Sequence, residues 1–213
     1  MKKLIREADV LSYIKDGIKE LTIDLNTIVT PSAIDKLNSA KIKLIRSSKT
    51  EEKKETGGAN GRIFRKIVIG SDHTGLSAKK VLIKLLKDTG YEVIDIGTYT
   101  EESCDYPDFA FVAAAKILSN EACAGILIDA TGIPSSIAAN KFPGIRAATC
   151  YNEFSARSSR EHNNSNIMAV GAMALGIETI KSIMNIWLNT KFLGERHQRR
   201  LDKITAVEKK LYK

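Results

Sequence analysis

From residue 63 onward, short apolar runs alternate with amphipathic stretches. Phe64 to Gly70, Glu92 to Ile96, Gly125 to Ile128, Ile145 to Thr149 and Ile167 to Val170 are the short runs and predict strands. Ser77 to Thr89, Asp108 to Ser119, Pro134 to Lys141, Glu153 to Glu161 and Ile177 to Asn189 predict helices between and after them. Strand and helix alternating in this way predict an α/β fold, with a parallel sheet covered by helices on both faces and right-handed crossovers. Ligands of such sheets bind outside the carboxyl ends of the strands. The tail from Gly194 to Lys213 predicts a charged helix with an apolar stripe at Leu201, Ile204, Val207 and Leu211. That stripe packs on its own domain or on a second subunit.

Ahead of this pattern lies Arg46 to Arg62, which lacks large apolar residues and includes Gly57, Gly58 and Gly61. It predicts a solvated linker. Farther upstream, Ala8 to Asp16 has helical rhythm, Leu21 to Leu25 alternates like a strand, and Ile42 to Ile45 reads as a closing strand. Thr30 suits the N-cap of a helix that starts at Pro31, where a missing N–H is harmless. The division is therefore a small α+β module at 1–45, a linker at 46–62 and the main domain at 63–213. So short a module can bury little core and is expected to pack against something else.

Composition narrows the class. The chain has 213 residues, 43% hydrophobic and 27% charged, which is the balance of a water-soluble globular protein. No apolar run approaches the roughly 18 residues that span a bilayer, and charges interrupt the first ten residues, so neither membrane insertion nor export is expected. Cys104, Cys123 and Cys150 contain no CxxC pair and suggest a reducing cytoplasm rather than a disulfide framework or zinc ribbon. The net charge of +8 divides evenly between residues 1–62 and the remainder, without a basic block or basic residues interleaved with aromatics. A nucleic-acid partner is therefore not expected.

The chemistry gathers at predicted strand ends. The first strand runs into Gly70-Ser71-Asp72-His73-Thr74-Gly75, which sets a carboxylate and an imidazole at the ligand edge. Asp72 can equally serve as a helix cap beside an exposed His73. The third strand ends in Asp129-Ala130-Thr131-Gly132-Ile133-Pro134-Ser135-Ser136, a turn whose backbone amides can hold an anion or can be an ordinary strand-to-helix connection. It has no Walker lysine, and the first turn is not a dinucleotide GxGxxG. Ser159 to Asn164 is dense in groups suited to a sugar. Arg196 and Arg200 share one helical face, which suits a phosphate or simply a solvated basic helix.

Taken in order, GSDHTG, GYEVIDIGTYTEESCDYPDFA, GILIDATGIPSSIAANKFPGIRAA, SREHNNSNIMAVGA and GERHQRR resemble the ribose-5-phosphate isomerase B and galactose-6-phosphate isomerase (RpiB/LacAB) family across residues 64 to 205. The resemblance implies a Rossmann-like three-layer α/β/α sandwich around a five-stranded parallel sheet. It also implies a homodimer or homotetramer whose active sites are shared between subunits. The implied reaction interconverts aldose and ketose phosphates, most simply ribose 5-phosphate and ribulose 5-phosphate, through a cis-enediolate with neither metal nor organic cofactor. By position, Asp72, His73 and Tyr106 line the sugar site, Thr131 and Gly132 belong to the anion hole, His162 with Asn163 assists ring opening, and Arg196 and Arg200 bind phosphate.

Three departures from the family pattern bear on the chemistry. Many members carry a cysteine base where this chain has Asp129, and another branch uses a glutamate where this chain has Ser135. Asp129 is thus the expected base. Pro134 replaces a usual glycine and removes one amide donor, and Met173 replaces a usual phosphate-binding arginine. These changes leave open a non-catalytic sugar-phosphate-binding homologue, or one subunit of a heteromeric isomerase. Residues 1–45 resemble the N-terminal segment of EutQ-type microcompartment proteins, which implies docking to a shell or cargo protein inside a bacterial microcompartment. A module that only stabilises the oligomer is the plainer alternative.

Overall fold

In a computed structural model of the chain, the structure describes residues 4–5, 7–24, 28–47 and 62–211. The contact pattern divides the chain into two units, Met1–Glu55 and Thr56–Lys213. Most of the expected linker lies outside the described residues.

In the first unit the elements are β1 (Leu4–Ile5), α1 (Glu7–Lys15), β2 (Glu20–Asp24), β3 (Ile28–Val29), α2 (Pro31–Ser39) and β4 (Lys43–Ser47). Two separate parallel pairs form, β1 with β3 and β2 with β4. Thr30 caps α2 as its position predicts, with Oγ1 accepting from Ala33 N at 3.3 Å. Val10, Ala33 and Leu37 form a small core with Ile5, Ile23, Val29 and Ile42.

The second unit continues with β5 (Lys66–Ser71), α3 (Leu76–Asp88), β6 (Glu92–Asp95), α4 (Tyr106–Leu118), β7 (Ala124–Asp129), α5 (Ile133–Ala139), β8 (Ala147–Thr149), α6 (Glu153–Glu161), β9 (Ile167–Gly171), α7 (Ile177–Asn189) and α8 (Glu195–Leu211). Its five strands are all parallel, in the order β6-β5-β7-β9-β8. The period-2 pattern explains the two buried faces. Ile67, Ile69, Ile126, Ile128, Met168 and Val170 point into a core shared with Leu82, Leu86, Ile183 and Trp187. Their neighbours Val68, Leu127, Ile167 and Ala169 point the other way, against Ala110, Ala113, Ala114 and Ala139. Alanines on α4 and α5 let those helices lie close to the sheet, so both faces are covered.

Two predicted boundaries shift for local reasons. The expected strand from Ile145 begins only at Ala147, because Arg146 N donates to Asn166 Oδ1 at 2.8 Å. The helix expected from Pro134 begins one residue earlier, with Gly132 in the left-handed region at φ 80° before it. Among the described residues no helix is long and apolar enough to cross a membrane.

Candidate active site

Adjacent strands β5, β7 and β9 bring their carboxyl ends together, and their loops interlock. Asp72 N donates to Ile128 O at 3.2 Å, Ala172 N to Asp129 O at 2.8 Å and Met173 N to Ala130 O at 3.0 Å. Glycine permits the close approach at two points. A Cβ on Gly132 would lie 2.9 Å from Val170 C, and one on Gly171 would lie 2.6 Å from Thr131 Cα.

Asp129 closes β7 and is 1% exposed. Its Oδ1 accepts from Thr131 N at 2.8 Å and Gly132 N at 2.5 Å, while Oδ2 accepts from Ser135 N at 3.1 Å. The carboxylate therefore sits in the amide cradle of its own turn. Thr131 Oγ1 accepts from Ile133 N at 3.3 Å. Pro134, in the first turn of α5, contributes no donor.

Asp72 does act as a cap. Its Oδ1 accepts from Thr74 N at 2.9 Å, Gly75 N at 3.2 Å and Thr74 Oγ1 at 2.6 Å, which stabilises the single 3₁₀ turn His73–Gly75. His73 is half-buried, and its Nδ1 accepts from Cys104 N at 3.3 Å. That bond assigns the ring proton to Nε2 in the neutral imidazole and leaves Nε2–H as the donor. Cys104 reaches His73 because its loop is anchored from below. Lys79, 1% exposed, donates to Asp95 Oδ1 at 2.5 Å and to Thr98 O at 2.8 Å, while Thr98 N donates to Ser71 O at 2.7 Å. Tyr106 opens α4 just beyond and is part-exposed.

A second group forms where α6 ends and α8 begins. His162 caps α6, its Nδ1 is 3.2 Å from Ser158 Oγ, and its ring stacks on His197 with centroids 4.3 Å apart and planes 6° from parallel. Arg196 Nε donates to His197 Nε2 at 3.3 Å, and among the described residues the buried His197 Nδ1 has no hydrogen-bond partner. Burial lowers the His197 pKa, and the neighbouring His162, Arg196 and Arg200 push it down further against the opposing pull of Glu161. Asn163 is exposed, and its carbonyl accepts from Arg146 Nε at 3.0 Å. Arg196 and Arg200 lie exposed on α8, and among the described residues neither makes an ion pair.

The frame beneath this group is buried and polar. Trp187 Nε1 donates to Ser165 Oγ at 2.8 Å, Ser165 Oγ to Ser159 Oγ at 3.0 Å, and Arg160 Nη1 to Ser165 O at 2.6 Å. The Arg160 guanidinium also lies over the rings of Phe64 and Trp187, which stack on each other.

Among the described residues no hydrogen bond or ion pair joins the His162 group to the Asp129 turn within one chain. The predicted site residues thus fall into two clusters, Asp72, His73, Asp129, Thr131 and Gly132 in one and His162, Asn163, Arg196 and Arg200 in the other, while Tyr106 stands exposed at the start of α4. The sequence pattern alone assigns no role to His197 or Cys104. Their partners are far away in sequence, and the adjacency of His197 to Arg196 was the one local hint.

Residues 67–204 match the sequence profile of the Ribose/Galactose Isomerase family. The chain belongs to that family. It is similar to Ribose-5-phosphate isomerase B of Escherichia coli (strain K12), at 44% identity over 147 residues that cover 69% of this chain and 99% of that protein. The solved structure of Clostridium thermocellum Ribose-5-Phosphate Isomerase B superposes with a TM-score of 0.67 at 50% identity, covering 68% of this chain and 98% of that one. Ribose-5-phosphate Isomerase B from Mycoplasma genitalium with bound ribulose-5-phosphate gives a TM-score of 0.66 at 40% identity, covering 68% of this chain and 96% of that one. These likenesses bear out the expected Rossmann-like sandwich and the expected isomerase class. Residues 1–45 lie outside the matched profile.

Proposed function

We propose that the protein interconverts ribose 5-phosphate and ribulose 5-phosphate through a cis-enediolate. The observation that carries this reading is the pair of exposed guanidiniums, Arg196 and Arg200, which share one face of α8 beside the stacked His162 and His197 and make no ion pair among the described residues. A dianionic phosphate fits two such forks, and the adjacent imidazole suits proton transfer during ring opening. In this reading His162, with Asn163, opens the furanose ring. Asp72, His73 and Tyr106 contact the open chain. Asp129 removes the C2 proton and returns it to C1 while the hydroxyl proton passes from O2 to O1. Oδ2, with one amide donor against two at Oδ1, is the oxygen suited to that transfer.

The two clusters meet across subunits, so that a homodimer is the smallest active form and a homotetramer repeats it. Exposed Ile133 and Ile137 on α5, and Ile204, Val207 and Leu211 on α8, support a covered interface. The N-terminal module docks to a microcompartment shell or cargo protein, a role supported by its sequence pattern alone.

A steady-state assay of ribose 5-phosphate conversion tests the phosphate assignment. Arg196→Ala and Arg200→Ala should each raise KM by about 10- to 100-fold while changing kcat only a few-fold, the range of one charge-assisted pair. Unchanged KM in both variants contradicts the reading.

A further inference from the structure

The turn after β7 is the place where the family resemblance implies an anion hole, yet its backbone donors from Thr131 to Ser136 are all committed within the chain. Thr131 N and Gly132 N donate to Asp129 Oδ1, and Ser135 N donates to Oδ2. Ile133 N donates to Thr131 Oγ1, Ser136 N donates to Gly132 O at 3.4 Å, and Pro134 has no N–H. The turn is also wedged in place. Gly132 lies against the Val170 backbone, Gly171 lies against the Thr131 backbone, and Thr149 Oγ1 donates to Gly132 O at 3.1 Å. Buried amides need partners, and here the partner is a carboxylate from the same turn.

We infer that this turn is a carboxylate cradle: Asp129 is the anion its amides hold, and no amide from Thr131 to Ser136 is left for the enediolate oxyanion. The catalytic meaning of the inference rests on the isomerase reading, whereas the geometry does not. The hydrogen bonds are made to the base in the ground state. Only interactions that strengthen in the transition state speed a step, so the cradle orients Asp129 without supplying oxyanion stabilisation. Asp129 and Pro134 thereby act together, one occupying the donors and the other deleting one.

Calorimetry on the full chain tests this with two probes, a four-carbon phosphorylated hydroxamate that mimics the enediolate oxygens and a four-carbon polyol phosphate that does not. The ratio of their affinities reports oxyanion recognition. In the wild type the hydroxamate should be favoured by less than about tenfold, and Asp129→Ala, which frees three amides, should raise the preference at least about tenfold. Asp129→Cys, the residue that many family members carry, should shift the ratio in the same direction and guards against a folding failure in the alanine variant. A wild-type preference of about 100-fold or more that falls in either variant, or a ratio unchanged in both, overturns the inference. Amide hydrogen exchange separates this outcome from failure of the isomerase reading. If no form binds either phosphate, the isomerase reading fails, and the cradle is then judged on Thr131, Gly132 and Ser135. Exchange at these amides accelerated about tenfold or more in Asp129→Ala upholds the cradle, and unchanged exchange overturns it.

Discussion

Asp129→Asn should lower kcat for ribose 5-phosphate isomerisation by about 10³-fold or more, within the range of a lost general base and a disturbed turn. The carboxamide has one acceptor oxygen, whereas the native carboxylate accepts three backbone donors on two oxygens. Whichever way the amide group turns, an NH₂ faces a backbone N–H at a site 1% exposed. The unpaired donor costs about 1–3 kcal/mol of stability, so urea unfolding should accompany the kinetics. A folded Asn variant with the wild-type rate would remove Asp129 from the chemistry and leave it a purely structural anion.

The next-largest effect is expected from a residue that touches no substrate. Gly171→Ala places a Cβ 2.6 Å from Thr131 C and Cα and 2.7 Å from its O. These are backbone atoms, so no rotamer relieves the clash and the turn must move as a unit. Overpacking of this kind costs about 1–3 kcal/mol, and a displacement of about 1 Å in catalytic groups costs about 10² in rate. Thermal unfolding and kcat should therefore fall together. Gly176→Ala is the matched control, since nothing lies within 4 Å of its added Cβ, and it should leave both measurements unchanged. Equal behaviour of the two variants would contradict the tight β9-to-turn contact.

How far the sequence discloses the molecule depends on the range of the interaction. Strand pattern is local, and the alternation of Ile67, Val68 and Ile69 already separates the two cores. The Thr30 cap is equally local. Asp72 is a mixed case, because a carboxylate at a strand end fits both a cap and a ligand, and only the three donors on its Oδ1 reveal the capping role. Pairings across the fold are not legible. The Cys104 amide fixes the His73 tautomer across 31 residues, and His197 meets His162 with the whole of α7 between them in the chain. The self-occupied turn is harder still to foresee. The residues 129–136 identify a turn rich in amides, but the direction of each N–H comes from the left-handed Gly132 and the contacts of Gly171.

The proposed reaction requires this chain, despite its aspartate, to move a proton at C2 of a sugar phosphate. Incubating the purified full-length protein with ribose 5-phosphate in deuterium oxide and following the sugar protons by NMR tests it most directly. The expected result is ribulose 5-phosphate together with deuterium at C1 of the ketose or C2 of the recovered aldose. Neither ketose formation nor exchange, across a panel of pentose and hexose phosphates, would contradict it.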